Sequence, residues 1–170
     1  MKKYYLILLI IIGVSCSREE ENLEPININL VTGIDIKEFQ ESSPMRLGNP
    51  NTLNYNKFFV FPNPVRNNLR IKSIENMTDI WVLPATASKS YKGTDFQKLL
   101  NSELYSEKII NDKSILKFND LEWTEISLAI ESLNSGYYKV FVKINGNIFW
   151  DNIYVSNIGS DLNDLINYWK

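Results

Sequence analysis

The side chains of this chain that are equipped for chemistry are few, and nearly all of them are carboxylates. There is no histidine, which removes the commonest general base, the Ser–His dyad and the usual zinc ligand. The single cysteine, Cys16, has no partner for an internal disulfide. What remains for acid–base work is three pairs of acids close in sequence: Glu122 with Glu125, Asp161 with Asp164, and Glu103 with Glu107. Carboxyls about 5 or about 9 Å apart would suit a glycosidase, but none of these pairs sits in a recognisable motif, and spacing in sequence does not set spacing in space. Asp161-Leu162-Asn163-Asp164 and Asn111-Asp112 are oxygen-rich, yet they lack the glycine and distal glutamate of a calcium loop and read better as helix-cap and turn chemistry. The expectation is a non-catalytic protein with no catalytic residues, no metal and no cofactor.

The lone cysteine gains meaning from what precedes it. Lys2 and Lys3 make a positive start, Tyr4 to Ile12 an apolar run, and Gly13-Val14-Ser15 a small-residue approach to Cys16, together the pattern of a secretory signal. A spanning helix would need roughly 20 apolar residues, and the run stops well short of that. An apolar run ending on the only cysteine resembles the bacterial lipoprotein signal, which implies lipidation of Cys16 as the mature N-terminus. Ser17 followed by Glu19, Glu20 and Glu21 resembles the export signal that carries lipoproteins of Bacteroidetes to the outer face of the outer membrane. A plain solvated acidic tether explains the same residues. The resemblance implies an outer-membrane, lipid-anchored protein facing the cell surface, whose partners are the membrane through that lipid and an unknown protein or glycan.

With residues 1–15 removed as the signal peptide, Lys2 and Lys3 leave, so 16 of the 18 basic residues face 20 acidic ones and the net charge is −4. That balance argues against nucleic acid as a partner. The mature length suits one domain with a sizeable core plus a tail. Residues 16–56 read as the lipidated cysteine, an acidic tether and an irregular arm, because Pro25, Pro44 and Pro50 and many asparagines interrupt them. Ile26, Ile28 and Leu30, then Ile34 and Ile36, alternate well enough for one short strand at a sheet edge.

At Lys57 the texture changes. Phe58 to Phe61 and Leu69 to Ile71 flank Pro62-Asn63-Pro64, two apolar strands about a bend that the prolines build in. An aromatic strand, PNP, then Leu-x-Ile is similar to the start of the C-terminal sorting domain of type IX secretion cargo. Leu133-Asn134-Ser135-Gly136-Tyr137-Tyr138-Lys139-Val140-Phe141-Val142 follows that family's L-x-x-G-x-Y-x-V-x-V pattern. The resemblance covers residues 57–156 and implies a β-sandwich. The chain departs from the family in an insertion from Pro84 to about Ser106, in Asp151-Asn152 where the family has basic residues, and in its continuation past Val155. The fold is therefore carried over and the sorting function is not, since a fold brings no activity with it.

Within the insertion, Thr94 with Gln97 predicts a capping box, with Phe96, Leu99, Leu100 and Leu104 on one helical stripe. Tyr105 to Ile110 and Ile115 to Phe118 predict a hairpin around Asn111 to Ser114, and Trp123 to Ile130 a further strand. Asn145-Gly146 predicts a type I′ hairpin between Tyr137–Ile144 and Asn147–Val155. A two-residue turn sets Phe141 opposite Trp150 on the face away from Val140 and Val142, which exposes Trp150 as an aromatic binding platform; a three-residue loop buries it in the core. Both alternatives stay open, with Phe141 and Trp150 the candidate binding residues. Finally, Ser160 caps a helix with Leu162, Leu165, Ile166 and Trp169 on one stripe; residues 157–170 should dock it on the sandwich.

The resulting expectation is a mainly β, immunoglobulin-like sandwich of about seven strands, with one inserted short helix and a C-terminal amphipathic helix. The function expected is a surface lipoprotein of accessory or adhesion type, with an immunity or inhibitor lipoprotein and a sorting-domain-like protein as alternatives.

Overall fold

In the computed structural model, which describes residues 27–157 and 159–170, the chain is mainly β. In order come β1 (Leu30–Val31), β2 (Gly33–Ile36), β3 (Met45–Gly48), β4 (Phe58–Phe61), β5 (Asn68–Ala87), α1 (Phe96–Leu99), α2 (Glu107–Lys113), β6 (Leu116–Phe118), β7 (Trp123–Ala129), β8 (Gly136–Ile144), β9 (Asn147–Val155) and α3 (Leu162–Trp169). Residues 1–26, which include Cys16, Ser17 and Glu19 to Glu21, lie outside the described residues, as does Ile158.

Strand β5 organises everything else. Its first part, around Leu69 and Ile71, pairs with both β4 and β7. Its second part, Met77 to Ala85, pairs with β8, while β6 joins at Ile80 to Val82 and β1 runs parallel to Thr86 and Ala87. Where the two parts join, the register to β7 shifts between Lys72 and Met77 and the register to β8 between Met77 and Asp79. Such a bulge bends a strand and sharpens its twist, so one chain segment crosses from one layer of the sandwich to the other. Met77 sits at the crossing, opposite Trp123 on one neighbour and Ile144 on the other. The main core gathers Phe58, Val60, Leu69, Ile71, Ile80, Val82, Val140, Val142 and Ile153 from both layers. The Pro-Asn-Pro hairpin and its core residues Val60, Phe61, Leu69 and Ile71 form as the sequence predicts, all four buried.

The hairpin of β8 and β9 has the two-residue turn, with Ile144 opposite Asn147 and Asn145 and Gly146 at φ 50° and 77°, the left-handed pair that a type I′ turn requires. Phe141 accordingly faces Trp150. The exposure expected from that register does not follow, because both residues are completely buried. The second face of β8–β9 is covered by a third layer. Tyr105 stacks edge-on against Phe141 and Trp150 with centroids 5.8 and 5.1 Å away, and the arm adds Leu53 and Asn51.

The inserted segment differs from expectation in two places. α1 is a single turn capped at Asp95 without any side-chain bond, so the Thr94–Gln97 capping box does not form. Residues 107–113, where a strand to Ile110 and a turn over Asn111 to Ser114 are predicted, are helical: Ser106 Oγ accepts from the Ile109 amide, Glu107 and Lys113 suit the two helix ends, and Lys108 reaches Asp112 one turn on at 2.6 Å. Only Ile110 of this helix is buried, so local capping and charge pairing outweighed the apolar Ile109-Ile110 step.

Much of the arm is built structure. β2 and β3 form a two-stranded ribbon, and with α3 they enclose a second, smaller core of Val31, Ile34, Leu47, Leu165 and Trp169. The C-terminal helix therefore docks, though chiefly on the ribbon and on Tyr137 and Tyr154 rather than on the main core. Its N-cap is Asp161, whose carboxylate accepts from the Asn163 amide; Ser160 Oγ instead accepts from the Asn157 amide. Leu162 of the expected stripe stays exposed. Gly48, at φ 69°, lies under the Trp169 ring, where an added Cβ would come within 2.6 Å of Cε3, so only glycine lets the helix close on the ribbon.

Candidate binding cleft

Asn63, between the two prolines, joins the arm to the sheet. Its backbone pairs with Lys37 at 2.7 and 2.8 Å, its side-chain nitrogen donates to the carbonyls of Asp35 and Asn152, and its Oδ1 accepts from the Tyr154 amide. A second buried asparagine, Asn51, does the same one layer on. Its Oδ1 accepts from Thr32 N and Asn152 Nδ2, its Nδ2 donates to Leu30 O, and its carbonyl accepts from Trp150 Nε1 at 2.9 Å. The Asn63 side chain, at Asn152 O and Tyr154 N, and the Leu53 backbone, paired both ways with Trp150, satisfy the outer edge of β9, which would otherwise offer unpaired backbone groups.

Where ribbon, β4 and β9 meet, they leave a cleft of about 410 Å³. From the ribbon come Asp35 and Arg46, opposite one another across the strands and joined by two parallel bonds of 2.9 and 3.0 Å. Lys37 follows, its ammonium 4.8 Å from the centre of the Phe59 ring. The wall opposite is the loop Thr52 to Asn56, in which Tyr55 and Asn56 both have positive φ, 43° and 59°, an uncommon conformation for residues other than glycine. Tyr55 is exposed at the rim, and Gln97 of α1 also borders the opening.

Asp151 of β9 completes the lining. Its carboxylate accepts from the Asn152 amide at 2.8 Å and from Asn54 Nδ2 at 3.0 Å. Burial pushes its pKa up to about 6 in spite of those two bonds, with nearby Asp35 adding to the rise and Lys37 opposing it. On the opposite face of the sheet lies Lys139, completely buried, with Nζ 3.4 Å from the Asn51 carbonyl. Burial holds it down to about 7, and the charge of Asp151 opposes that fall. Chemically, the cleft offers two acceptor-only carboxylates beside an ammonium, a guanidinium and amides, with an aromatic ring at its edge.

The candidate residues read from sequence are distributed differently. Phe141 and Trp150 are brought together, ring centres 5.7 Å apart, but under Tyr105, so they form core and no platform. Glu122, Glu125, Asp161, Asp164, Glu103 and Glu107 are all exposed and none lines the cleft; Glu125 pairs with Arg70 and Glu107 with Lys143. Among the described residues no three His, Cys, Asp or Glu side chains are grouped to hold a metal. Asp35, Arg46, Asn54 and Asp151 are the residues that sequence reading missed. The available signal was a charge set inside an apolar strand, as in Ile34-Asp35-Ile36 and Trp150-Asp151-Asn152. No protein-family model, no curated protein and no solved structure matches the chain.

Proposed function

We propose that the chain is a non-catalytic binding module, anchored by lipid on Cys16 to the outer membrane and facing the cell surface, that takes a glycan in the cleft between arm and sandwich. The observation that carries the reading is the lining. Hydrogen-bond acceptors (Asp35, Asp151) alternate with donors (Lys37, Arg46, Asn54), and Tyr55 stands exposed beside them. Sugar hydroxyls both donate and accept, and the apolar face of a pyranose suits an aromatic ring. The volume of about 410 Å³ falls in the range of small-ligand sites. The sandwich, taken here as immunoglobulin-like, serves as the rigid frame. The net charge of −4 after signal removal sets nucleic acid aside as partner.

The test is calorimetric titration of the mature chain in detergent with a panel of oligosaccharides. At least one should bind, and Tyr55→Ala should weaken that binding about tenfold, equivalent to about 1.4 kcal/mol. A panel without a binder, or unchanged affinity in the variant, sinks the glycan reading. The anchor is checked separately: a fatty-acid probe should label the wild type and leave Cys16→Ala unlabelled.

A further inference from the structure

Given a glycan in the cleft, which rests on the reading above, the charges that line the cavity narrow its class. Asp35, Lys37, Arg46 and Asp151 all border it. Two of these are spent on each other: the Arg46 guanidinium donates to both oxygens of Asp35 at 2.9 and 3.0 Å, the bidentate geometry that matches fork to carboxylate. The other two are not spent. Among the described residues neither Lys37 nor Asp151 takes part in an ion pair. Lys37 stands over the Phe59 ring, 4.8 Å from its centre, and a ring face attracts an ammonium without neutralising it. Asp151 accepts one N–H on each oxygen, from Asn152 and Asn54, so about two of the four acceptor positions of an ionised carboxylate stay open. The two groups sense one another, since burial raises the Asp151 pKa and the charge of Lys37 draws it back, yet they do not meet.

We propose that the cleft prefers a zwitterionic glycan, whose ammonium donates to Asp151 and whose carboxylate accepts from Lys37. A neutral sugar leaves both protein charges without a counter-charge in a partly enclosed site, and a ligand of one sign pairs with only one of them. A ligand carrying both signs pairs with each and adds no net charge to a lining that is itself balanced. Both contacts are charge-assisted hydrogen bonds, and away from bulk water they are screened less than on an open surface. Arg46 and Asp35, already occupied, form the wall of the ribbon. Asn54 acts as a positioning residue, tying the Thr52–Asn56 loop to the Asp151 carboxylate.

The experiment uses a disaccharide of glucosamine linked to glucuronate in four forms: with both charges, N-acetylated so that the ammonium is lost, methyl-esterified so that the carboxylate is lost, and capped at both. Each is titrated into the mature chain in detergent at pH 7, above the Asp151 pKa of about 6. The form with both charges should bind about tenfold more tightly than either singly capped form. Lys37→Met should weaken the two forms that keep the carboxylate by about tenfold and leave the methyl ester unchanged; Asp151→Asn should do the same to the two forms that keep the ammonium and leave the N-acetylated form unchanged. The two residues lie on separate elements, so the question stays decidable if one variant fails to fold. Equal binding of all four forms, or a preference that neither variant moves, overturns the proposal and leaves the cleft as a glycan site. Should none of the four bind, the proposal falls as well, and the oligosaccharide panel above decides separately whether the cleft takes a glycan at all.

Discussion

Lys139→Met stabilises the protein by about 3 to 5 kcal/mol at pH 6, and the gain shrinks toward zero by pH 10.5. The wild-type lysine is completely buried, and among the described residues its amine meets a single acceptor, the Asn51 carbonyl, at 3.4 Å. Its pKa is held at about 7, against 10.5 in the unfolded chain. Between these two values the unfolded state binds a proton that the folded state lacks, so stability rises with pH across that window; below it both states are charged and the folded state carries the whole desolvation cost. Methionine keeps the apolar stem and drops the charge, the kind of replacement that commonly stabilises at buried ionic sites. Asp151 acts in the opposite sense. Its folded pKa of about 6 lies above the ordinary 3.8, so its contribution is full below that lower value and is lost as pH rises to about 6. Wild-type stability should thus pass through a minimum between about pH 6 and 7, a trough whose alkaline side disappears in Lys139→Met. Chemical denaturation at a series of pH values measures both effects. A variant less stable than wild type at pH 6 would show that the buried amine is better satisfied than its surroundings indicate.

Trp150→Ala lowers stability by about 3 to 5 kcal/mol, the range for emptying a buried tryptophan site. Its ring is completely buried, packs against Tyr105 and Phe141, and donates from Nε1 to the Asn51 carbonyl at 2.9 Å. Losing it opens a cavity between the sheet and the inserted segment and removes one of the bonds that pin the arm. A double-mutant cycle with Tyr105→Ala should return a coupling of about 0.5 to 1.5 kcal/mol, as expected for an edge-on aromatic pair. Had the ring been an exposed platform, the same substitution would cost under about 1 kcal/mol. Urea denaturation separates the two outcomes, and a loss that small would contradict the three-layer packing.

The elements legible in the sequence were those specified by short-range chemistry. Asn145-Gly146 dictates its turn because few other residues accept positive φ twice in succession, and that turn sets the register of β8 and β9 throughout. Pro62-Asn63-Pro64 announces a bend, and the spacing of Leu165, Ile166 and Trp169 announces a helix. Less legible was β5, where Leu69–Ile71 and Asp79–Leu83 look like separate strands because Ser73 to Asn76 break the alternation between them; the break is an irregularity that β7 bridges, pairing with Lys72 on one side and Met77 on the other. Residues 107–113 misled because a pair of adjacent isoleucines says little about period.

By itself, then, the sequence determined a β-rich chain, its principal hairpins, its terminal helix and the register that sets Phe141 against Trp150. Only the tertiary structure decided what covers the second face of that hairpin. Register is a matter of local backbone geometry, whereas burial depends on segments distant in the chain: Tyr105 from the insertion and Asn51 from the arm close over Trp150. The cleft has the same origin. Asp35, Asn54 and Asp151 come from three stretches of chain that share no motif, and they meet because Asn63 and Asn51 fasten the arm along the edge of β9. No periodicity in a sequence records a contact of that range, since it is set by which buried polar groups find partners once the layers have packed.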